Sequence, residues 1–146
     1  MPRSLGLDVG DKRIGVAMSD PGAVLASPLT IIERRAEAAD IAAIAAIIEQ
    51  HDVKRVIAGL PRSMDGHLGH QAEKVQAFTD KLAGHIRVPI EFRDERLTTI
   101  SAQRLMQEAS TRKPRSKKRL SKKADDAIAA AIILQGYLDE SLLADL

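Results

Sequence analysis

Large apolar and very small side chains alternate along the first twenty residues, and this pattern constrains the fold most. Strand side chains point to opposite faces in turn, so one face of the first predicted strand carries Leu5, Leu7 and Val9, and the other carries Gly6, Asp8 and Gly10. The next segment repeats the pattern, with Ile14, Val16 and Met18 alternating with Gly15, Ala17 and Ser19. The Gly10-Asp11-Lys12 turn predicts a β-hairpin. Because glycine weakens a strand, we expect something bulky to approach the bare face around Asp8.

Length and composition limit the kinds of protein that this chain can be. A length of 146 residues predicts a single domain over residues 1–146. The absence of cysteine excludes a disulfide scaffold and a thiolate zinc site. Neither a membrane-spanning run nor a signal peptide is evident, so we expect a cytoplasmic protein with no membrane partner. Aromatic residues make up only 2% of the chain, which disfavours a platform for stacking single-stranded bases.

Charge is strongly segregated along the chain. Residues 111–123 hold eight basic residues and no acid, whereas the net charge of the whole chain is only +2. Without that segment the remainder carries 14 basic and 20 acidic residues, a net charge of −6. A solvated loop is the simpler interpretation of such a run. A basic strip on an acidic body is also the pattern expected for a protein that binds a phosphate backbone.

The remaining elements predict an α/β fold with a mixed sheet. A third strand is predicted at 24–32, with Pro28 placing it at a sheet edge. It is followed by a helix at 36–50, a strand at 53–58, a helix at 71–82, a strand at 88–92, a helix from Thr98 or Thr99 to about 108, and a last helix over 126–138. The first three strands are predicted to be antiparallel and the last two parallel. Ligands of such sheets bind at the carboxyl ends of the parallel strands.

Three acids far apart in sequence are candidate site residues: Asp8 on the first strand, Glu95 after the last strand, and Asp126 at the start of the final helix. Simpler interpretations exist. Asp94 and Glu95 could form a surface network with the arginines beside them, and Asp125 or Asp126 could cap the helix. Clustered carboxylates repel unless a cation neutralises them, and an all-oxygen ligand set favours Mg²⁺ or Mn²⁺.

A glycine- and proline-containing loop follows the strand at 53–58. Its sequence, Gly59-Leu60-Pro61-Arg62-Ser63-Met64-Asp65-Gly66, is typical of a rigid connection. Alternatively, its backbone amides and Arg62 line a substrate groove.

Four ordered motifs together resemble one family. They are Asp8-Val9-Gly10-x-Lys12-x-Ile14-Gly15, Gly59-Leu60-Pro61 with Asp65-Gly66, Asp94-Glu95-Arg96-Leu97-Thr98-Thr99, and Asp126-x-x-Ala129-Ala130. Over essentially the whole chain, they resemble the YqgF/RuvX family of bacterial ribonuclease-H-like proteins. Its members are described as Holliday-junction resolvases and as nucleases that mature the 5′ end of pre-16S ribosomal RNA. The resemblance implies a ribonuclease-H-like fold, with a five-stranded mixed sheet flanked by helices.

The resemblance also implies an activity and a set of site residues. Asp8, Glu95 and Asp126 would be the catalytic triad and would hold two Mg²⁺ (or Mn²⁺) ions for phosphodiester hydrolysis, and glycine around Asp8 would leave room for the ions and the scissile phosphate. The expected partner is structured RNA, pre-ribosomal RNA first and branched DNA second, bound by a monomer or a weak homodimer. The candidate nucleic-acid-binding residues are Lys12, Arg62, Arg96, Arg112, Lys113, Arg115, Lys117, Lys118, Arg119, Lys122 and Lys123.

Two other functions are compatible with parts of the sequence. One is a non-catalytic nucleic-acid-binding module with the same fold, which would not require three carboxylates facing phosphate. The other is an ATPase, because Asp8-x-Gly10 followed by Gly15 also resembles the phosphate-binding hairpin of sugar kinases and actin-like ATPases. Those proteins fold from two related domains, and this chain has the length of one.

Overall fold

A computed structural model describes residues 3–61, 69–94 and 118–144, with the backbone alone at 118–126 and 143–144. The elements, in chain order, are β1 (Arg3–Val9), β2 (Arg13–Ser19), β3 (Ala26–Glu33), α1 (Glu37–Gln50), β4 (Val53–Leu60), α2 (His70–Ala83), β5 (Ile90–Asp94) and α3 (Lys118–Ala144). The described strands form one five-stranded sheet in the order β3-β2-β1-β4-β5. None of the described helices is both long and apolar enough to cross a membrane.

The sheet is mixed, as the sequence predicts. Strands β1, β2 and β3 pair antiparallel in succession, whereas β1 pairs parallel with β4, and β4 with β5. The carboxyl ends of β1, β4 and β5 therefore lie at one edge of the sheet. This edge is the place where open α/β sheets bind their ligands.

The edge position predicted for the third strand is confirmed. Strand β3 is outermost, and its register with β2 shifts so that Thr30 pairs with Val16 but Pro28 pairs with Ala17. The shift leaves Leu29 as an extra residue in β3, which is a β-bulge. Proline has no backbone N–H for a ladder, so it is tolerated at an edge next to a bulge.

The large apolar residues of the hairpin face helices α1 and α2. Leu5, Leu7 and Val9 are buried in one cluster that also contains Ile44 of α1 and Phe78 of α2. The periodic apolar residues of both helices thus form the main core with this face of the sheet, as their spacing predicts.

Helix α3 covers the opposite face, which carries the small residues. Ala130 and Leu134 of the helix are fully buried against Ala17 and Ile57 of the sheet. The helix begins at Lys118, eight residues before the predicted start. The prediction that Asp125 or Asp126 caps this helix is therefore wrong, because both residues lie inside the helix and not at its start. The predicted helix near 98–108 lies outside the described residues.

Asp20 organises the turn between β2 and β3. Its Oδ1 accepts hydrogen bonds from the backbone N–H groups of Val24 at 2.8 Å and Leu25 at 3.0 Å. The backbone donors of Leu25 and then Val24 lower the pKa of the Asp20 carboxyl below its usual range, because they stabilise the charged form.

Candidate active site

Asp8 lies at the sheet edge where the parallel strands end. It is the second-to-last residue of β1 and pairs with Gly15 of β2. Its neighbours Leu7 and Val9 point toward α1 and α2, so Asp8 faces α3. The residue is partly exposed, which leaves its carboxylate within reach of solvent and dissolved ions.

The close approach of α3 at Gly6 accounts for the small side chains on this face. A Cβ atom placed on Gly6 would lie 2.8 Å from the carbonyl oxygen of Ala130 and 2.8 Å from Cβ of Leu134. Such separations are too short for carbon, so only glycine lets α3 approach the strand this closely. The bulky group expected near this face is therefore helix α3, and the expectation that Gly6 leaves room for metal ions and phosphate is wrong.

Gly10 serves the hairpin turn beside Asp8. Its N–H donates to the carbonyl of Arg13 at 2.9 Å, and a Cβ on Gly10 would lie 2.8 Å from the same oxygen. Arg34, between β3 and α1, also braces the turn. It donates to the Gly10 carbonyl at 3.0 Å, pairs with Asp40 of α1 at 3.3 Å, and its guanidinium carbon lies 4.9 Å from the ring centre of Phe78 of α2. No local sequence pattern indicates this role of Arg34, because the contact joins residues 24 positions apart.

Helix α3 runs antiparallel to β1. Gln135 Oε1 accepts from the N–H of Ala26 at 2.8 Å, and its Nε2 donates to the Val24 carbonyl at 2.9 Å. Ala26 pairs with Ser19, whose Oγ accepts from the N–H of Ser4 at 2.9 Å. Gln135 therefore lies near the amino end of β1.

The direction of α3 determines where its amino-terminal turns lead. Ala130 contacts Gly6 in the middle of β1, and Gln135 contacts elements beside the amino end of the strand. Residues that precede Ala130 therefore lead toward the carboxyl end of β1, where Asp8 lies. Asp126 is in this part of the helix backbone, four residues before Ala130.

The other predicted site residues are described only in part. Glu95, Arg62, Arg96, Arg112, Lys113, Arg115 and Lys117 lie outside the described residues. Lys118, Arg119, Lys122, Lys123 and Asp126 are described as backbone of α3. Lys12 is exposed in the hairpin turn. Within the described ranges, no three potential ligands form a metal-binding group.

Arg93 is a feature of this region that sequence reasoning missed. It lies on β5, two positions before Glu95, and is only 7% exposed. Its Nη2 is 2.6 Å from Oε1 of Glu140 on α3. A Cβ on Gly136 would lie 2.7 Å from the Arg93 guanidinium carbon, so the guanidinium packs directly on the glycine backbone. Arg93 is therefore buried and not at the surface, whereas the network suggested for Asp94 and Glu95 involves residues outside the described part of the chain.

Similarity to known proteins agrees with this geometry. The RuvX family, described as "Holliday junction resolvase", matches residues 2–140. A Clostridium botulinum relative named "Putative pre-16S rRNA nuclease" is 47% identical over 137 residues, which cover 94% of this chain and 96% of the relative. A Moorella thermoacetica relative of the same name is also 47% identical, over 94% of each chain.

Two solved structures share the fold. RuvC of Thermus thermophilus, in complex with Holliday junction substrate, has a TM-score of 0.63 at 11% identity and covers 97% of each chain. The fowlpox virus resolvase, in complex with Holliday junction DNA, has a TM-score of 0.57 at 14% identity and covers 97% of this chain and 99% of the resolvase. The fold predicted from the sequence, a ribonuclease-H-like mixed sheet flanked by helices, is therefore confirmed. By the match over residues 2–140 and the identity with its relatives, the chain belongs to the RuvX family.

Proposed function

We propose that this protein is a metal-dependent endonuclease that hydrolyses phosphodiester bonds of structured RNA, with the 5′ end of pre-16S ribosomal RNA as its substrate. The close, antiparallel approach of α3 to β1 at Gly6 carries this proposal. It supports a site in which an acid on the strand and an acid on the helix lie together.

The spacing of the two elements supports the pairing of Asp8 with Asp126. Asp8 lies two strand residues beyond Gly6, a rise of about 6.6 Å. Asp126 lies four helix residues before Ala130, a rise of about 6 Å along the helix axis. Ala130 packs on Gly6, and the two elements run in opposite directions. Asp8 and Asp126 are therefore expected at nearly the same height along β1.

The register of the sheet supports Glu95 as the third acid. Leu7 pairs with Ala58, and Gly59 pairs with Arg93, so Asp8 and Arg93 lie at about the same level on either side of β4. Arg93 packs on α3, the same side that Asp8 faces. Alternation along a strand puts residues two apart on one face, so a continuation of β5 by one residue would put Glu95 on that side as well.

The proposed donor set fits a hard divalent cation. Three carboxylates without histidine or cysteine favour Mg²⁺ or Mn²⁺, and the partly exposed Asp8 is accessible from solvent. When bound, two such ions stabilise the attacking and leaving oxygens of an in-line displacement at phosphorus. Asp8, Glu95 and Asp126 would hold them, and no protein nucleophile is needed.

Substrate binding is assigned to the basic residues of the chain. The eight cations of residues 111–123 would contact the phosphate backbone and recruit it to a body that is otherwise acidic. RNA is preferred as the substrate because the 47%-identical relatives carry the name of an rRNA nuclease. Branched DNA is the second candidate, favoured by the family description.

The test compares wild-type protein with Asp8→Asn and with Asp11→Asn, a matched change at an exposed acid of the same hairpin turn. We expect Asp8→Asn to reduce Mg²⁺-dependent cleavage of a pre-16S 5′ fragment by about 100-fold or more, since metal ions contribute several kcal/mol to such reactions. Asp11→Asn should cleave within about twofold of wild type, because an exposed acid outside the proposed ligand set should change stability by only about 0.5 kcal/mol.

Three outcomes separate the functions. Equal cleavage by wild type and Asp8→Asn would contradict the proposed site and indicate a contaminant. Cleavage of a four-way DNA junction in preference to the RNA would favour the second substrate. RNA binding with no Mg²⁺-dependent product, even at high protein concentration, would favour a non-catalytic binding module.

A further inference from the structure

We propose that Arg93 is a positioning residue that sets the affinity of the acidic site for divalent cations. It joins the end of β5, which leads to Glu95, to helix α3, which carries Asp126. The inference rests on the proposed function, because it assumes that these two acids are metal ligands.

The contact between Arg93 and α3 is built from two residues of the helix. Gly136 provides a flat backbone surface for the guanidinium, and Glu140, one turn later, binds it through a 2.6 Å ion pair. A Cβ at position 136 would lie within 2.8 Å of three guanidinium atoms, so a larger residue there would displace the guanidinium from this surface. Glycine lowers the stability of a helix interior, and burying an arginine requires removing its charge from water. Both costs occur together at this contact.

Stability alone does not account for this arrangement. Removing a guanidinium from water is costly, and apolar side chains of similar volume often replace buried ion pairs without loss of stability. A planar guanidinium fixed by stacking and by an ion pair restricts the position of the helix more than an apolar contact does. The arrangement therefore indicates a role in geometry, because it fixes the distance between β5, which leads to the proposed ligand Glu95, and α3, which carries the proposed ligand Asp126.

Arg55 offers a comparison at a more exposed arginine, whose side chain is 46% exposed against 6% for Arg93. It also projects from the sheet toward α3, donates a hydrogen bond to the Tyr137 hydroxyl and pairs with Glu91 at 3.1 Å. It lies on β4, however, and no proposed ligand comes from that strand. A general effect of arginine contacts on the packing of α3 should appear in both Arg55 and Arg93 variants, whereas an effect on ligand geometry should appear only for Arg93.

The experiment measures Mn²⁺ binding to the nucleic-acid-free protein by calorimetry, together with thermal unfolding without metal. Arg93→Met should raise the Kd for Mn²⁺ by about 10-fold, the lower range for groups that orient metal ligands, with little change in Tm. Arg93→Lys should recover part of the affinity, because it keeps the charge without the planar fork. Arg55→Met should bind Mn²⁺ like wild type.

Each contrary result has a defined meaning. If Arg93→Met and wild type bind Mn²⁺ equally, or if Arg55→Met loses as much affinity as Arg93→Met, the positioning role is wrong while the proposed function stands. If wild type itself neither binds Mn²⁺ nor cleaves RNA, both proposals are wrong. Should Arg93→Met not fold, Glu140→Gln, which changes a half-exposed partner, replaces it, and an unchanged Kd in that variant overturns the inference.

Discussion

Replacing Gly6 by alanine tests the feature on which the site depends, the close packing of α3 on β1. The added methyl carbon would lie 2.8 Å from both the Ala130 carbonyl oxygen and Leu134 Cβ. Neither neighbour is the flexible end of a side chain, so rotation of a side chain cannot relieve the overlap. Ordinary contacts of this kind begin near 3.4 Å, so restoring one would separate the helix and the strand by about 0.6 Å.

The expected loss of stability follows from two opposing effects. Overpacking of a well-packed core costs about 1–3 kcal/mol, while replacing glycine by alanine lowers the entropy of the unfolded chain and returns about 0.5–1 kcal/mol. The difference between the mid-range values is a net destabilisation of about 1 kcal/mol. For a chain of this size that corresponds to a fall in Tm of about 2–4 °C.

The assay is urea denaturation and thermal unfolding of Gly6→Ala, with Gly84→Ala as the matched control. A Cβ on Gly84 would lie 3.5 Å from the Lys81 carbonyl oxygen, an ordinary contact, and the backbone there is right-handed helical with φ of −72°. Gly84→Ala should therefore be neutral or more stable by up to about 1 kcal/mol. Mn²⁺ binding, measured in the same variants, should weaken for Gly6→Ala only.

The reasoning would be refuted by a Gly6→Ala protein at least as stable as wild type. Such a result would mean that α3 moves away from β1 at no cost, and that the strand and helix acids are not held together by this contact. If Gly6→Ala lost stability without any change in Mn²⁺ affinity, the packing of α3 on β1 would still contribute to stability, but it would not contribute to metal binding.

Two further predictions concern charge. Asp20→Asn should lower the urea midpoint at neutral pH, because the backbone N–H donors lower the pKa of Asp20 in the folded state. This stabilisation is complete above the ordinary aspartate pKa and is lost as pH falls through the lowered pKa. The urea midpoints of wild type and variant should therefore converge in strong acid, and a constant difference across pH would contradict this origin. If all eight cations of residues 111–123 contact phosphate, a plot of log Kd for RNA against log salt concentration should have a slope of magnitude about 6–7. Replacing Lys122 and Lys123 by glutamine should reduce that slope by about 1.4–1.8, and an unchanged slope would exclude these two lysines from the interface.

Local patterns predicted most of the sheet. Strict alternation around Asp8 indicated the hairpin, and Pro28 indicated an edge strand; both are confirmed. These signals are reliable because hairpin register and proline exclusion depend on neighbours in the sequence. The start of α3 was missed because Asp126 matched a helix cap and the lysines before it matched a loop, although lysine and arginine are good helix formers.

Contacts between distant residues could not be predicted in the same way. Arg93 and Glu140 are 47 positions apart, and nothing in either local sequence indicates that the guanidinium is buried. The sequence likewise marked Gly6 as unusual without indicating what fills the space beside it. Only the tertiary structure identifies that neighbour as the helix that carries Asp126.

The small residues on this face therefore act on the proposed site indirectly. Gly6 and Ala17 on the sheet, and Ala130 on the helix, let the two backbones come into direct contact. Backbone contact leaves few ways for the elements to slide, whereas a layer of long side chains can adjust through rotamers. Metal sites require ligands held within about 0.5 Å of their productive positions, and the shift of about 0.6 Å that would relieve one added methyl group is of the same size as that tolerance. Gly6, two residues before Asp8, thus weakens the strand but fixes the distance between the strand and the helix that supply the proposed ligands.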